Sequence, residues 1–285
     1  MPAKAPVLVV GGDGLIGRAL VRDLRARGHE VIATSRRPGS GALVLDLAEP
    51  ASWPVLPAVS AAVIVSAVAR LNDCERDPQA AHRVNAAAPA LLAERFAARG
   101  VQSLLLSTDK VFDGTRAMRG RDDAHCPLTE YGRQKAWAER AVLRAGGGVL
   151  RLSKVLSPEL DLLRVWRVQL LAGQPIAPFH DMWLAPVTVE MVCGLAARLI
   201  ARGARGIYHC TGAEDLSYVE LARALARAIG ADEALMQPKS AAGVIPPAMR
   251  VRHSTLEMRG EAEGLPNPEF ETVVGAIVAR LAKAA

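Results

Sequence analysis

Two runs of this 285-residue chain carry residue types suited to proton chemistry. Leu104-Leu105-Leu106 leads into Ser107-Thr108-Asp109-Lys110-Val111-Phe112-Asp113-Gly114, and Tyr131-Gly132-Arg133-Gln134-Lys135 opens a helix-compatible stretch through Leu143. An apolar run that stops at small polar residues predicts a buried parallel strand delivering a hydroxyl at its carboxyl end, where open α/β sheets place ligands. The spacing of four puts Tyr131 and Lys135 on one helix face. A free phenol titrates near ~10, and a neighbouring ammonium lowers that value by favouring the phenolate. Such a tyrosine protonates a carbonyl oxygen as hydride reaches the carbon, or runs the reverse, while Thr108 or Ser107 holds that oxygen. Thr108, Tyr131 and Lys135 are therefore the candidate catalytic residues. Alone, this spacing is more often a solvated helix face, so the elements around it have to support the reading.

They do so from the first strand onward. Val7-Leu8-Val9-Val10 predicts a central strand, and Gly11-Gly12-Asp13-Gly14-Leu15-Ile16-Gly17 follows at once, opening an amphipathic helix through Arg27. Glycines at 11, 14 and 17, and in a second register at 12, 14 and 17, allow a tight turn, a close pyrophosphate and helix-start amides aimed at it. Strand before and helix after make this a dinucleotide site, with Gly11, Gly14, Leu15, Ile16 and Gly17 as contacts. His29–Thr34 reads as the second strand, ending in Ser35-Arg36-Arg37 with no acid in place. Those three residues favour a ribose 2'-phosphate, hence NADPH, with NADH possible. Further strands are expected over 43–47, 62–67 and 149–153, the last after a break at Gly146-Gly147-Gly148. Alternating strand and helix predict an α/β fold, a Rossmann-type doubly wound parallel sheet with right-handed crossovers. Residues 1–155 would form its core, and 156–285 mainly a small substrate-binding lobe, with about 186–230 returning to the core. Prolines from Pro158 to Pro268 punctuate that second part.

Ser-Thr-Asp-x-Val-Phe-Asp-Gly followed by Tyr-Gly-x-x-Lys resembles the extended short-chain dehydrogenase/reductases, and within them the dTDP-4-dehydrorhamnose reductase group. Segments 179–187, 206–212 and 250–257 extend the resemblance across the chain, and Ser217 is expected to cap a helix from Tyr218 to Ile229. The resemblance implies Asp46 and Leu47 beside the adenine, and Ser66, Ala67 and Val68 along the dinucleotide. It implies Ser107, Tyr131 and Lys135 at the cofactor, and Asn85 bracing the strand ends. Lys110, Val111, Lys154 and Trp183 would face the substrate. Lys110 stands where the group commonly has an aromatic, and Lys154-Val155-Leu156 where it has Trp-Val-Tyr, so the sugar head group is left open. The implied activity is NADPH-dependent reduction of a nucleotide-linked keto-sugar. Two alternatives stay beside it: an epimerase or dehydratase that retains NAD(P), and a non-catalytic regulatory subunit.

Composition excludes other classes. Net charge is +6, but the arginines are spread along helical stretches such as Leu221–Arg227, and aromatics are only 4%, so no nucleic-acid partner is expected. No apolar run approaches the ~18 residues of a membrane span, and no apolar signal segment precedes the first strand, so a cytoplasmic protein is expected. Cys74, Cys126, Cys193 and Cys210 are far apart, and His125, His180, His209 and His253 lack ligand spacing, so no metal is expected. Trp166 and Trp183 suit either base stacking or packing. A homodimer is the default that the resemblance implies.

Overall fold

Val7–Val10 (β1) is aliphatic throughout and buried at every position, as a strand covered on both faces by helices must be. The computed structural model describes residues 5–39, 41–258 and 270–283. From β1 the chain passes through α1 (Leu15–Ala26), β2 (Val31–Ser35), β3 (Leu43–Val44) and β4 (Ala61–Ile64). Next come α2 (Leu71–Arg76), α3 (Pro78–His82), one π-helical turn (Arg83–Ala87), α4 (Ala88–Ala97), β5 (Gln102–Thr108) and α5 (Glu130–Arg144). Then follow β6 (Gly148–Leu152), β7 (Lys154–Leu156), α6 (Asp161–Leu171), β8 (Trp183–Leu184), β9 (Pro186–Thr188) and α7 (Val189–Ala201). β10 (Gly206–Cys210), β11 (Leu216–Ser217), α8 (Tyr218–Ala228) and a helix over Phe270–Lys283 complete the order.

Seven strands form one sheet in the order β10-β6-β5-β4-β1-β2-β3. β1 pairs in parallel with β2 on one side and β4 on the other, so the strand order reverses at β1. Ligands of doubly wound sheets lie outside the strand ends at that reversal. The pairs β2–β3, β4–β5 and β5–β6 are also parallel, which makes this the Rossmann-type fold expected. In α1 the buried residues are Gly17, Leu20, Val21 and Leu24, the one-face pattern of a helix laid on a sheet. Leu8, Ile64, Leu92, Phe96 and Leu105 share the core cluster, each fully buried side chain contributing about 1.5–3 kcal/mol. The third strand is shorter than the expected 43–47. Asp46 turns its carboxylate to the Ala48 amide (2.9 Å), and the chain leaves the sheet there.

Contacts divide the chain into two compact units. The first is Met1–Phe112 with Ala124–Leu152 and Glu190–His209; the second is Asp113–Asp123 with Ser153–Val189 and Cys210–Ala285. The short excursion 113–123 follows β5 directly and was not anticipated from the sequence. Within the second unit β7 pairs with β9 and β8 with β11. Ser217 and Glu220 form a reciprocal cap on α8, as the sequence predicted for Ser217. Asp215 accepts from the amides of Ser254 (2.6 Å) and Thr255 (2.9 Å) and the Thr255 hydroxyl (2.9 Å), fastening the 253–255 segment. Trp166 is buried in α6.

Candidate active site

The glycine loop is shaped by backbone crowding. Gly11 takes φ +89°, and a Cβ on Gly17 would lie 2.0 Å from the Gly11 carbonyl oxygen, so α1 presses directly on the loop. The start of α1 at Gly14 has no side-chain cap, leaving its first amides available to an anion. Thr34 Oγ1 accepts from the Gly11 amide (3.1 Å) and fixes the loop to β2. This cradle fits a pyrophosphate.

At the end of β2 the structure supplies an acid that the local sequence lacks. Asp13, from the glycine loop, accepts from Ser35 Oγ (3.0 Å) and from the Arg37 guanidinium (3.0 Å). Burial works against its ionisation, but those two donors hold the carboxyl below its ordinary range. Arg36 is exposed, and Arg37 is a surface cation steered by Asp13. Asp46 stays partly accessible, whereas the Leu47 side chain packs in the core cluster.

The exit of β4 is tied to the helix that carries Tyr131. Ser66 lies against Gly11, where a Cβ would come within 2.5 Å of its Oγ. Asn85, in the π-helical turn, accepts from the Val68 amide (2.8 Å) and donates to the Val68 carbonyl (3.0 Å) and to Gln134 Oε1 (2.8 Å). Asn85 thus braces the loop containing Ser66, Ala67 and Val68 against α5. The π-turn swings this amide inward, a distortion common at functional sites.

Thr129 caps α5 by accepting from the Gly132 amide (3.2 Å). A Cβ on Gly132 would sit 2.1 Å from the Lys110 carbonyl, so the first turn of α5 touches the turn Asp109–Val111 that ends β5. That contact is why glycine follows Tyr131. Thr108 is buried, and its hydroxyl donates to Asp109 Oδ1 (3.0 Å). Lys110 Nζ pairs with Asp109 (2.8 Å). Val111 is wholly buried.

Two further corrections concern the acid–base pair. Ser107 does not share an oxygen with Thr108: neighbouring strand residues face opposite ways, and the Ser107 hydroxyl donates to Glu139 (2.5 Å). Nor is the phenol of Tyr131 drawn down. Burial, with the Asp109 carboxylate adding, pushes its pKa up, while Lys135 Nζ donates one bond to the Leu106 carbonyl (2.7 Å). Tyr131 is therefore a protonated phenol at neutral pH, ready to donate. Lys135 is itself brought down to about 8 by burial, with Glu139 pulling the other way.

Glu139, one turn beyond Lys135, escaped the sequence reading. It is fully buried and takes Arg151 Nη2 (2.8 Å) and Nε (3.1 Å), with His125 Nε2 at 3.0 Å. Burial opposes its charge, yet the bonds from His125 and Arg151 and the Arg151 charge outweigh it and hold the carboxyl at about 2. A folded-state pKa below the unfolded value means stability fully present above about pH 4.5 and lost as pH falls through about 2. The loss is on the order of 3 kcal/mol, and chemical denaturation of wild type against Glu139→Gln across that window measures it. A wild type as stable at pH 2.5 as at pH 6, by that titration, would refute it. The signal was present: Tyr131, Lys135 and Glu139 form one i, i+4, i+8 row, and Arg151 interrupts an apolar strand.

The model of the RmlD substrate binding domain family matches residues 5–283. The chain belongs to this family. It is 32% identical over 280 residues to the dTDP-4-dehydrorhamnose reductase of Streptomyces griseus, covering 90% of this chain and 88% of that one. It is 29% identical over 268 residues to methionine adenosyltransferase 2 subunit beta of Bos taurus, covering 88% and 80%. The crystal structure of dTDP-4-dehydrorhamnose reductase from Bacillus anthracis str. Ames in complex with NADP superposes with a TM-score of 0.84 at 18% identity, covering 97% of this chain and 99% of that chain. In this RmlD-family chain Thr108, Lys110, Tyr131 and Lys135 all belong to the first unit. Lys154, exposed at the start of β7, and Trp183, half-buried in β8, belong to the second. Among the described residues no helix is long and apolar enough to cross a membrane.

Proposed function

We propose that this chain is an NADPH-dependent reductase of a keto-sugar carried on a nucleoside diphosphate, acting as a cytoplasmic homodimer. The observation that supports the reading is the close packing of the first turn of α5, which carries Tyr131, on the turn after β5. The reductase name of the Streptomyces griseus relative supports the reaction class.

Bound NADPH would supply hydride to the carbonyl carbon. Gly11, Gly14, Leu15, Ile16 and Gly17 hold its pyrophosphate, and Ser66, Ala67 and Val68 border it. Lys135 holds the nicotinamide ribose through its ammonium. Tyr131 donates its phenolic proton to the carbonyl oxygen, and Thr108, turning from Asp109, donates a second hydrogen bond to the same oxygen. Lys110 offers a cation to the substrate. The test is NADPH oxidation with a panel of nucleotide 4-keto-sugars; no turnover with any of them would sink the reading. Light scattering reads the dimer.

Arg37 is the group suited to the 2'-phosphate, and Asp13 opposes it. Arg37→Ala should raise KM for NADPH about 10–100-fold with little change for NADH, as expected for a lost charged hydrogen bond. Asp13→Asn should shift preference further toward NADPH. Equal KM changes for both cofactors in Arg37→Ala would refute the assignment.

The bovine relative is named as a subunit, which favours a second reading, a non-catalytic binding protein. Stoichiometric recovery of an enzyme partner together with no turnover would select it. A retained-cofactor epimerase or dehydratase is less well supported, because Asp109 is paired with Lys110. Tightly held oxidised cofactor after purification would favour that class.

A further inference from the structure

We infer that Glu139 is a positioning residue which keeps Lys135 protonated, and that Arg151 competes with Lys135 for its carboxylate. The inference rests on the reductase reading above and adds a working part that sits behind the site.

The geometry is unusual for a sheet core. Lys135, Glu139 and Arg151 are each at most 1% exposed, and the ion pair that Glu139 makes is with Arg151 (2.8 Å) rather than with Lys135 one turn before it. Lys135 and Glu139 are neighbours on the i, i+4 row of α5, while Arg151 reaches Glu139 from β6 through both Nε and Nη2. Ser107 from β5 and His125 from the segment before α5 complete the carboxylate's partners, and His209 of β10 lies 3.5 Å from Arg151 Nη1. Lys135 donates to the Leu106 carbonyl, a neutral acceptor that carries no charge to offset its own. Other ionisable groups facing this end of α5 are Tyr131, Asp109 and Lys110, with Cys74 of α2.

A buried ammonium without an anion gives up its proton. Burial already brings Lys135 to about 8, against the pull of Glu139. Loss of that anion would deprotonate Lys135 near neutrality, and a neutral amine holds the ribose hydroxyls less firmly. Loss of Arg151 would act oppositely, leaving the carboxylate to Lys135 and removing a like charge. A purely structural pair has no reason to produce shifts of opposite sign.

The experiment is the pH dependence of kcat/KM for NADPH-driven reduction by the full chain, in wild type, Glu139→Gln, Glu139→Asp and Arg151→Met, with folding followed by circular dichroism. Glu139→Gln should move the alkaline limb down by about one pH unit or more. Glu139→Asp should restore it toward wild type, and Arg151→Met should move it up. Either of the two charge-removing variants alone decides the matter if the other does not fold. An unmoved limb, shifts of the same sign, or failure of both to fold would overturn the inference and leave the network with stability alone. A wild type without turnover would instead overturn the reductase reading, so the two failures are distinct.

Discussion

Tyr131→Phe is expected to lower kcat by about 10²–10⁴-fold while leaving NADPH affinity and thermal stability close to wild type. The substitution removes one hydroxyl and keeps the ring. The helix start is held by the Thr129 cap and by the contact of Gly132 with the Lys110 carbonyl, neither of which involves that hydroxyl. The phenol is held protonated by burial and by Asp109, so its proton is available to a carbonyl oxygen at neutral pH without prior activation. Stopped-flow single turnovers with a nucleotide keto-sugar, beside NADPH titration by fluorescence, separate chemistry from binding. If single-turnover rates stay within threefold of wild type, roughly the range of an indirect effect, Tyr131 is not the donor.

Gly17→Ala is expected to remove cofactor binding altogether. The added methyl would stand 2.0 Å from the Gly11 carbonyl oxygen and 3.0 Å from Gly12 Cα, both backbone atoms that have no rotamer to give way. Relief requires α1 to lift off the loop, which takes its amides away from the pyrophosphate and costs about 1–3 kcal/mol in packing. NADPH affinity should fall by more than about 100-fold, the loss expected when several charge-assisted amide contacts go together. Differential scanning calorimetry should show a lower Tm in the absence of cofactor and almost no rise on adding it. A normal NADPH-induced rise in Tm would show that the loop is not the pyrophosphate cradle.

The two substitutions differ in how the sequence announces them. Gly17 is legible because a strand, three spaced glycines and a helix stand in one contiguous stretch, and local order is enough to read them. Tyr131 and Lys135 are legible as a pair through helical spacing, but the sign of the phenol's shift is not. It depends on how much water reaches the ring and on which carboxylate is nearest, and here burial and then Asp109 push it up. Ser107 and Thr108 look equivalent on paper. The register of β5 against its neighbours, and the face that α5 covers, send one to Glu139 and leave the other at the strand end.

What the sequence determined by itself was the doubly wound sheet, the glycine cradle and the phenol–ammonium row on one helix, since each is written in residues within a few turns of one another. Tertiary structure alone decided that Asp13 meets Arg37 across 24 positions, that Asn85 reaches Gln134 across 49, and that Arg151 shares Glu139 with Ser107 and His125. Those contacts join separate elements, and neither hydrophobic periodicity nor turn chemistry encodes which polar groups are enclosed together. Once enclosed, they must pair with one another, because the interior offers no water to take their place.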